Sequence, residues 1–107
     1  MAVEKQPIDG NQLLKDCKSV FTLNAAGIPF DSEGALICMS SVRAIRDAIA
    51  MFSPKHPTIK ICIPNNVSYF QSVKIVIKFL ENNPSMLHHI DNHLIVIALK
   101  DAFPCKN

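Results

Sequence analysis

The chain of 107 residues is short of glycine, of charge and of long apolar runs. Its three glycines do not have the spacing of a phosphate-binding loop, which argues against nucleotide chemistry. No apolar stretch approaches the roughly 18 residues that a membrane-spanning helix requires. The net charge is only +2 and the basic residues do not cluster, so the sequence lacks the dense basic face of a nucleic-acid-binding domain.

The residues that are present indicate one small folded domain. Hydrophobic residues make up 49% of the chain and charged residues 19%, a balance that argues against intrinsic disorder. We expect residues 1–107 to form a single domain, in which residues 1–8 are flexible or were added with an expression vector. A domain of this size buries a limited core, so covalent cross-links would contribute much of its stability.

Hydrophobic periodicity predicts an all-α fold, a compact bundle of about four helices without a convincing sheet. The first helix is expected at about residues 9–20, where the Asp9 side chain caps the N-terminus. Asn24, Gly27 and Pro29 mark the loop that follows. The second helix is capped by Asp31 or Ser32, and its predicted apolar stripe consists of Cys38, Val42, Ile45, Ile49 and Phe52.

The second half of the chain predicts two further helices. Ser68 and Gln71 fit a capping box, so the third helix should follow Ser68 and end at the ENNPS segment, residues 81–85. Its predicted apolar stripe is Phe70, Val73, Val76, Ile77 and Leu80. The fourth helix begins near Ser85 or near Asp91 and runs to Phe103. Its predicted buried face is Leu94, Ile95, Ala98, Leu99 and Ala102.

Residues 58–63, with the sequence TIKICI, alternate between apolar and other side chains. A period of two residues is typical of extended backbone. This segment is expected to be an extended connector packed on the helices, or else an edge available for pairing.

Four cysteines occur without any C-x-x-C pair, which argues against a metal cluster and favours two disulfides. If the third and fourth helices are antiparallel, Cys62 before the third meets Cys105 after the fourth. Cys17 near the end of the first helix can likewise approach Cys38 near the start of the second. Disulfides imply an oxidising compartment, with a signal peptide that was removed; the alternative is a cytosolic protein whose four thiols are reduced core residues.

Little in the sequence predicts chemistry. His89 and His93 have the four-residue spacing of a helical metal pair, but the glutamate of H-E-x-x-H is missing and only Asp91 could be a third ligand. A weak metal site and a polar helix entrance with solvated imidazoles both remain open. Cys38 lies on an apolar stripe and Cys62 has no helix N-terminus directed at it, so neither is predicted to be a nucleophile. We expect no catalytic residue, metal or cofactor.

The connection between the third and fourth helices contains Met86, Leu87 and Ile90, although such connections are usually polar. Exposed apolar side chains in a protruding loop often mark a binding site. In the other interpretation, Leu87 and Ile90 fold back and pack against the fourth helix.

Four segments together resemble a known family. They are GNQLLKDC at residues 10–17, the helix around residues 43–48, CIPNNVSYFQSVKIVIKFLENNP at residues 62–84, and LIVIALKDAFPC at residues 94–105. In this order they resemble the immunity proteins of type VI secretion amidase effectors, the Rap/Tai group. The resemblance covers nearly the whole chain and is most specific in its second half. Residues 38–41, Cys-Met-Ser-Ser, depart from the glycine- and aromatic-containing turn of many members.

The resemblance implies a periplasmic, mostly helical, disulfide-bonded protein that is often a homodimer and is not an enzyme. Its partner would be a cognate cysteine amidase that cuts peptidoglycan cross-link peptides, and it would inhibit by covering the active-site groove. On this hypothesis the loop at residues 82–90 enters the groove, with residues 53–56 as the next candidate. The residues expected to contact the effector are Asn82, Asn83, Ser85, Met86, Leu87, His88 and His89.

The sequence is also compatible with two other functions. A periplasmic stress chaperone or scaffold would use exposed apolar helix faces to bind many unfolded clients. A cytosolic helical adaptor would have four free thiols. Neither nucleic acid nor membrane is an expected partner.

Overall fold

The computed structural model describes residues 8–52 and 58–106. Within these ranges there are four α-helices, α1 (Gly10–Ser19), α2 (Ser32–Phe52), α3 (Tyr69–Asn82) and α4 (Asp91–Ala102), and a 3₁₀ turn at Pro84–Met86. The same ranges contain isolated β-bridges but no β-strand, so the all-α prediction is confirmed. The expectation that residues 1–8 are flexible or vector-derived falls, apart from Ile8, outside the described residues.

Helices α1, α2 and α3 begin where side-chain oxygens accept hydrogen bonds from the first free amides. Asp9 accepts from the Gln12 amide at 3.0 Å, and Ser68 accepts from the Gln71 amide at 3.0 Å, as predicted. The Asp31 carboxylate accepts from the amide of Gly34 at 2.9 Å in the first turn of α2. Of the two predicted starts of α4, the one at Asp91 is confirmed, because a short 3₁₀ turn occupies the residues after Pro84.

The core lies between all four helices and consists of fully or nearly fully buried apolar side chains. Its largest members are Leu13, Leu80, Leu94, Ile95, Leu99, Val42, Val73 and Val76. Three predicted core positions are wrong, because Phe52 is 55% exposed, Phe70 is 56% exposed and Ala102 is also exposed. Each lies in the first or last turn of its helix, where the periodic stripe continues but the neighbouring helices do not cover it.

Both predicted disulfides are present, Cys17–Cys38 and Cys62–Cys105, with Cα–Cα distances of 5.1 and 5.0 Å. The first joins α1 to α2 inside the core. The second joins the extended connector before α3 to the residues after α4, as expected for antiparallel neighbours.

The extended connector packs on the helices as predicted. It also forms one β-bridge, between Ile61 and Pro104. Ile61 is buried and Ile59 and Ile63 are partly buried against the core, while Thr58, Lys60 and Cys62 face solvent. The Cys62 amide donates to the Phe103 carbonyl at 2.8 Å, and the Cys105 amide donates to the Lys60 carbonyl at 3.2 Å. The connector therefore lies antiparallel to the C-terminal segment at one end of the bundle.

Candidate functional site

The segment predicted to contact a partner, residues 82–90, connects α3 to α4 along a fixed path. The Asn83 side-chain amide donates to the Phe79 carbonyl at 2.8 Å and closes the last turn of α3. Pro84 begins the 3₁₀ turn, since its ring fixes φ and cannot continue α3. The His89 amide donates to the Met86 carbonyl at 3.0 Å, so consecutive tight turns define the loop.

The loop is also fastened to the residues around the start of α1. The Gly10 amide donates to the His89 carbonyl at 3.1 Å, and the Asp91 amide donates to the Ile8 carbonyl at 2.8 Å. A side chain at Gly10 would lie 2.8 Å from the Leu87 Cα, so glycine is required for this close approach. Backbone hydrogen bonds therefore hold the loop against the residues around the start of α1.

The seven residues predicted to contact an effector differ in exposure. Asn82, Ser85, His88 and His89 are exposed, whereas Asn83 is half-buried. Met86 and Leu87 are half-buried and pack against the core, so the structure supports the packing interpretation for Leu87. Ile90, which was expected to behave like Leu87, is instead 55% exposed.

The histidine cluster has the proximity that its spacing predicts. The ring centroids of His88 and His89 are 4.4 Å apart, and those of His89 and His93 are 5.9 Å apart. In the part of the chain that the structure describes, no three His, Cys, Asp or Glu side chains are placed to hold a metal ion. Asp9 lies beside this surface, where hydrogen bonds from backbone amides, first that of Gln12, lower the pKa of its carboxyl below the ordinary 3.8. The surface therefore combines imidazoles with a carboxylate whose pKa is lowered.

A second exposed surface was not predicted as a binding site. Residues 21–30 form a hairpin closed by a Leu23–Pro29 bridge, and Gly27 has φ 79°, a conformation that glycine tolerates. The Asn24 carboxamide oxygen accepts from the amides of Ala26 and Ile28, at 2.9 and 3.0 Å. The hairpin exposes four large apolar side chains, Phe21, Leu23, Ile28 and Phe30. The sequence feature that could have indicated this surface is the high density of large apolar residues in a loop that also contains Asn, Gly and Pro.

A groove of about 640 Å³ lies beside the Cys62–Cys105 disulfide. Its polar side contains Tyr69, whose hydroxyl donates to Asp47 at 2.9 Å and whose ring lies 4.8 Å from the Arg46 guanidinium carbon. The Arg46 guanidinium also donates to the Ser72 hydroxyl at 3.3 Å, so these contacts tie α2 to α3. Because every polar group named here has a partner in the fold, the arrangement explains helix packing without a ligand.

The structure contains no thiol that could act as a nucleophile, because all four cysteines are in disulfides. The alternative with four reduced core thiols is therefore wrong. The second candidate loop, residues 53–56, lies outside the described residues. Among the described helices, none combines the length and apolar character needed to cross a membrane.

Comparison with protein families matches the chain to the family described as Rap1a immunity proteins, over residues 9–105. Comparison with curated proteins and with solved structures gives no match. The matched region begins at the cap of α1 and ends at the last cysteine, so it includes every helix and both disulfides. Immunity proteins of this kind are generally non-enzymatic, and the two disulfides fit an extracytoplasmic member. The chain belongs to the Rap1a immunity protein family.

Proposed function

We propose that this protein binds a cognate type VI secretion peptidoglycan amidase and inhibits it by occluding the active-site groove. The family match over residues 9–105 carries this proposal. The partner would be a cysteine amidase, and the encounter would occur in the periplasm, where peptidoglycan is exposed. Inhibition by occlusion needs no reaction from the inhibitor, since excluding substrate from the groove is sufficient.

The loop at residues 82–90 is the proposed contact with the amidase. Its backbone is fixed at Gly10, at Asp91 and at Asn83, so docking would immobilise little additional backbone. A preorganised loop loses less conformational entropy on binding than a flexible one, which favours affinity. Asn82, Ser85, His88 and His89 would make the direct contacts, whereas Asn83, Met86 and Leu87 would contribute partly by holding the loop in shape.

The test is inhibition of a purified candidate amidase, with the wild-type protein compared to a His88→Ala/His89→Ala variant. Both rings are exposed, so their removal should leave folding intact and affect only binding. If these imidazoles lie at the centre of the interface, we expect the inhibition constant to rise by about tenfold or more. Lys100→Ala, an exposed substitution on α4, is the matched control and should inhibit like the wild type.

Unchanged inhibition by the folded double variant would remove this loop from the mechanism. A wild-type protein that inhibits no candidate amidase, but binds many unfolded proteins, would instead support the chaperone or scaffold alternative. Co-purification with the amidase, followed by the activity assay, separates these functions.

The proposal includes a homodimer, which the exposed hairpin supports. Phe30 is 75% exposed on a hairpin with an ordered backbone, and clustered exposed apolar side chains often mark protein interfaces. Sedimentation velocity should show twice the monomer mass for the wild type. Phe30→Ser should lower the dimer fraction if the hairpin is the dimer surface, whereas an unchanged dimer would locate the surface elsewhere.

A further inference from the structure

The two disulfides differ sharply in their access to solvent. Cys17 and Cys38 are both 0% exposed and belong to the hydrophobic core. Cys62 is exposed and Cys105 is half-buried at one end of the bundle. A thiolate must reach a sulfur atom to break a disulfide, so only the second bridge offers a sulfur to an external reactant in the folded protein.

We propose that Cys62–Cys105 is a site of thiol–disulfide exchange, opened by a dithiol of the C-x-x-C class while Cys17–Cys38 stays closed. One thiolate of the dithiol attacks the Sγ of the exposed residue Cys62, forms a mixed disulfide and expels Cys105 as a thiolate. The second thiolate of the dithiol then attacks the dithiol's first sulfur, which is bonded to Cys62 in the mixed disulfide. This attack releases Cys62 as a thiolate. Two electrons pass from the dithiol to the cysteine pair, two protons end on the two new thiols, and the dithiol becomes a disulfide.

The charges around the bridge favour this reaction. Lys106 follows Cys105 in the chain, and Lys60 is paired with Cys105 through a backbone hydrogen bond of 3.2 Å. Both lysines are exposed, and their backbones adjoin that of Cys105. Positive charge stabilises a leaving thiolate and increases the rate of its departure.

Opening the bridge has a local structural consequence. Without it, the connector is held to the C-terminal segment by the two backbone hydrogen bonds at Cys62 and Cys105 and by burial of Ile61. The connector residues 61–64 line the groove beside α2, so their release would change the shape of that groove. The four-helix core, closed by Cys17–Cys38, should remain folded, and this property does not depend on which effector the protein binds.

The experiment is graded reduction of the oxidised full-length protein with dithiothreitol, followed by alkylation with iodoacetamide and peptide mass spectrometry. We expect a species with two labels, both on Cys62 and Cys105, to form roughly tenfold faster or more than any labelling of Cys17 or Cys38. Simultaneous labelling of all four cysteines, or earlier labelling of Cys17 and Cys38, would overturn the proposal.

A variant with Cys62→Ser and Cys105→Ser tests whether the Cys17–Cys38 bridge is protected by its burial and whether the core stays folded without the second bridge. It keeps only the buried bridge, and we expect its far-UV circular dichroism to match that of the wild type. Its Cys17–Cys38 bridge should resist the dithiothreitol concentration that opens Cys62–Cys105 in the wild type. Loss of helicity, or reduction of the remaining bridge at that concentration, would show that the core does not stay closed and would contradict the proposal.

Discussion

At the scale of single residues, Asp16 is unusual because it is a charged residue with only 2% exposure. The Gln12 side-chain amide donates to its carboxylate at 2.8 Å, so one oxygen is satisfied inside α1. Desolvation by burial nevertheless raises the pKa of Asp16 above the ordinary 3.8, and the nearby Asp31 and Glu33 carboxylates raise it further. The Gln12 hydrogen bond and the Lys15 ammonium group act in the opposite direction.

This shift predicts a pH dependence that Asp16→Asn should remove. Because the folded-state pKa is raised, the folded protein binds this proton at higher pH than the unfolded chain does. The free energy of unfolding of the wild type should therefore fall as pH rises from 3.8 through the folded-state pKa, and then level off. Asparagine keeps the acceptor for Gln12 without the charge, so Asp16→Asn should gain stability relative to the wild type across that window.

Urea unfolding of both proteins, at a series of pH values from about 3 to about 7, measures this difference. Asp101→Asn is the control, since Asp101 is exposed on α4 and its substitution should give no such increase. A constant stability difference between Asp16→Asn and the wild type at every pH would show that Asp16 does not titrate differently in the folded protein.

At the scale of the helices, the sequence predicted features that depend on residues close in the chain. It did not predict features that depend on contacts with other helices or loops. The caps Asp9 and Ser68 could be predicted because each acts on an amide three residues later. Burial of Phe70 was predicted wrongly, because the periodicity of α3 does not show that its ring lies beside Phe21, at 6.2 Å between ring centroids, and stays 56% exposed. The fastening of the 82–90 loop to Gly10 involves residues nearly eighty positions apart, beyond the reach of any local pattern.

Gly10→Ala tests that fastening. In a helix, alanine normally stabilises by up to about 1 kcal/mol relative to glycine. Here the added Cβ would lie 2.8 and 2.9 Å from backbone atoms of Leu87, which cannot rotate away, and 2.6 Å from a Leu94 methyl group. We therefore expect a net loss of about 1–3 kcal/mol in the free energy of unfolding, as for other overpacked sites.

Chemical denaturation measures this loss, with Lys15→Ala on the exposed face of α1 as the control for alanine in the same helix. The control should change stability by less than about 0.5 kcal/mol. If Gly10→Ala is as stable as the wild type or more so, the loop and α1 are not in close contact.

At the scale of the whole molecule, the topology explains what the sequence could predict and what it could not. The disulfide pairing followed from an antiparallel arrangement of neighbouring helices, which connections of moderate length favour. The exposed apolar surface did not follow, because Phe21 and Phe30 are exposed as a result of the path of the hairpin between α1 and α2. Covalent restraints and helix order are therefore more predictable than the faces that the bundle leaves uncovered.

The same topology predicts which disulfide contributes more to stability. Loop-closure entropy alone assigns about 3 kcal/mol to Cys17–Cys38 and about 4 kcal/mol to Cys62–Cys105, because the second closes a longer loop. Replacing the core pair with alanine also removes two fully buried sulfur atoms, which adds about 1–3 kcal/mol for lost packing. The packing term exceeds the entropy difference, so Cys17→Ala/Cys38→Ala should be the less stable variant by about 1 kcal/mol.

Urea unfolding of the two double variants under identical non-reducing conditions shows whether loop length or burial determines which disulfide contributes more to stability. A domain of this kind has a total stability of about 5–15 kcal/mol, so the variant without the core bridge should be close to unfolding. The variant without Cys62–Cys105 should keep a cooperative transition, because its core retains every buried side chain. The reverse order of stabilities would mean that the longer loop dominates, and that the exposed bridge, not the buried one, is the main covalent support of the fold.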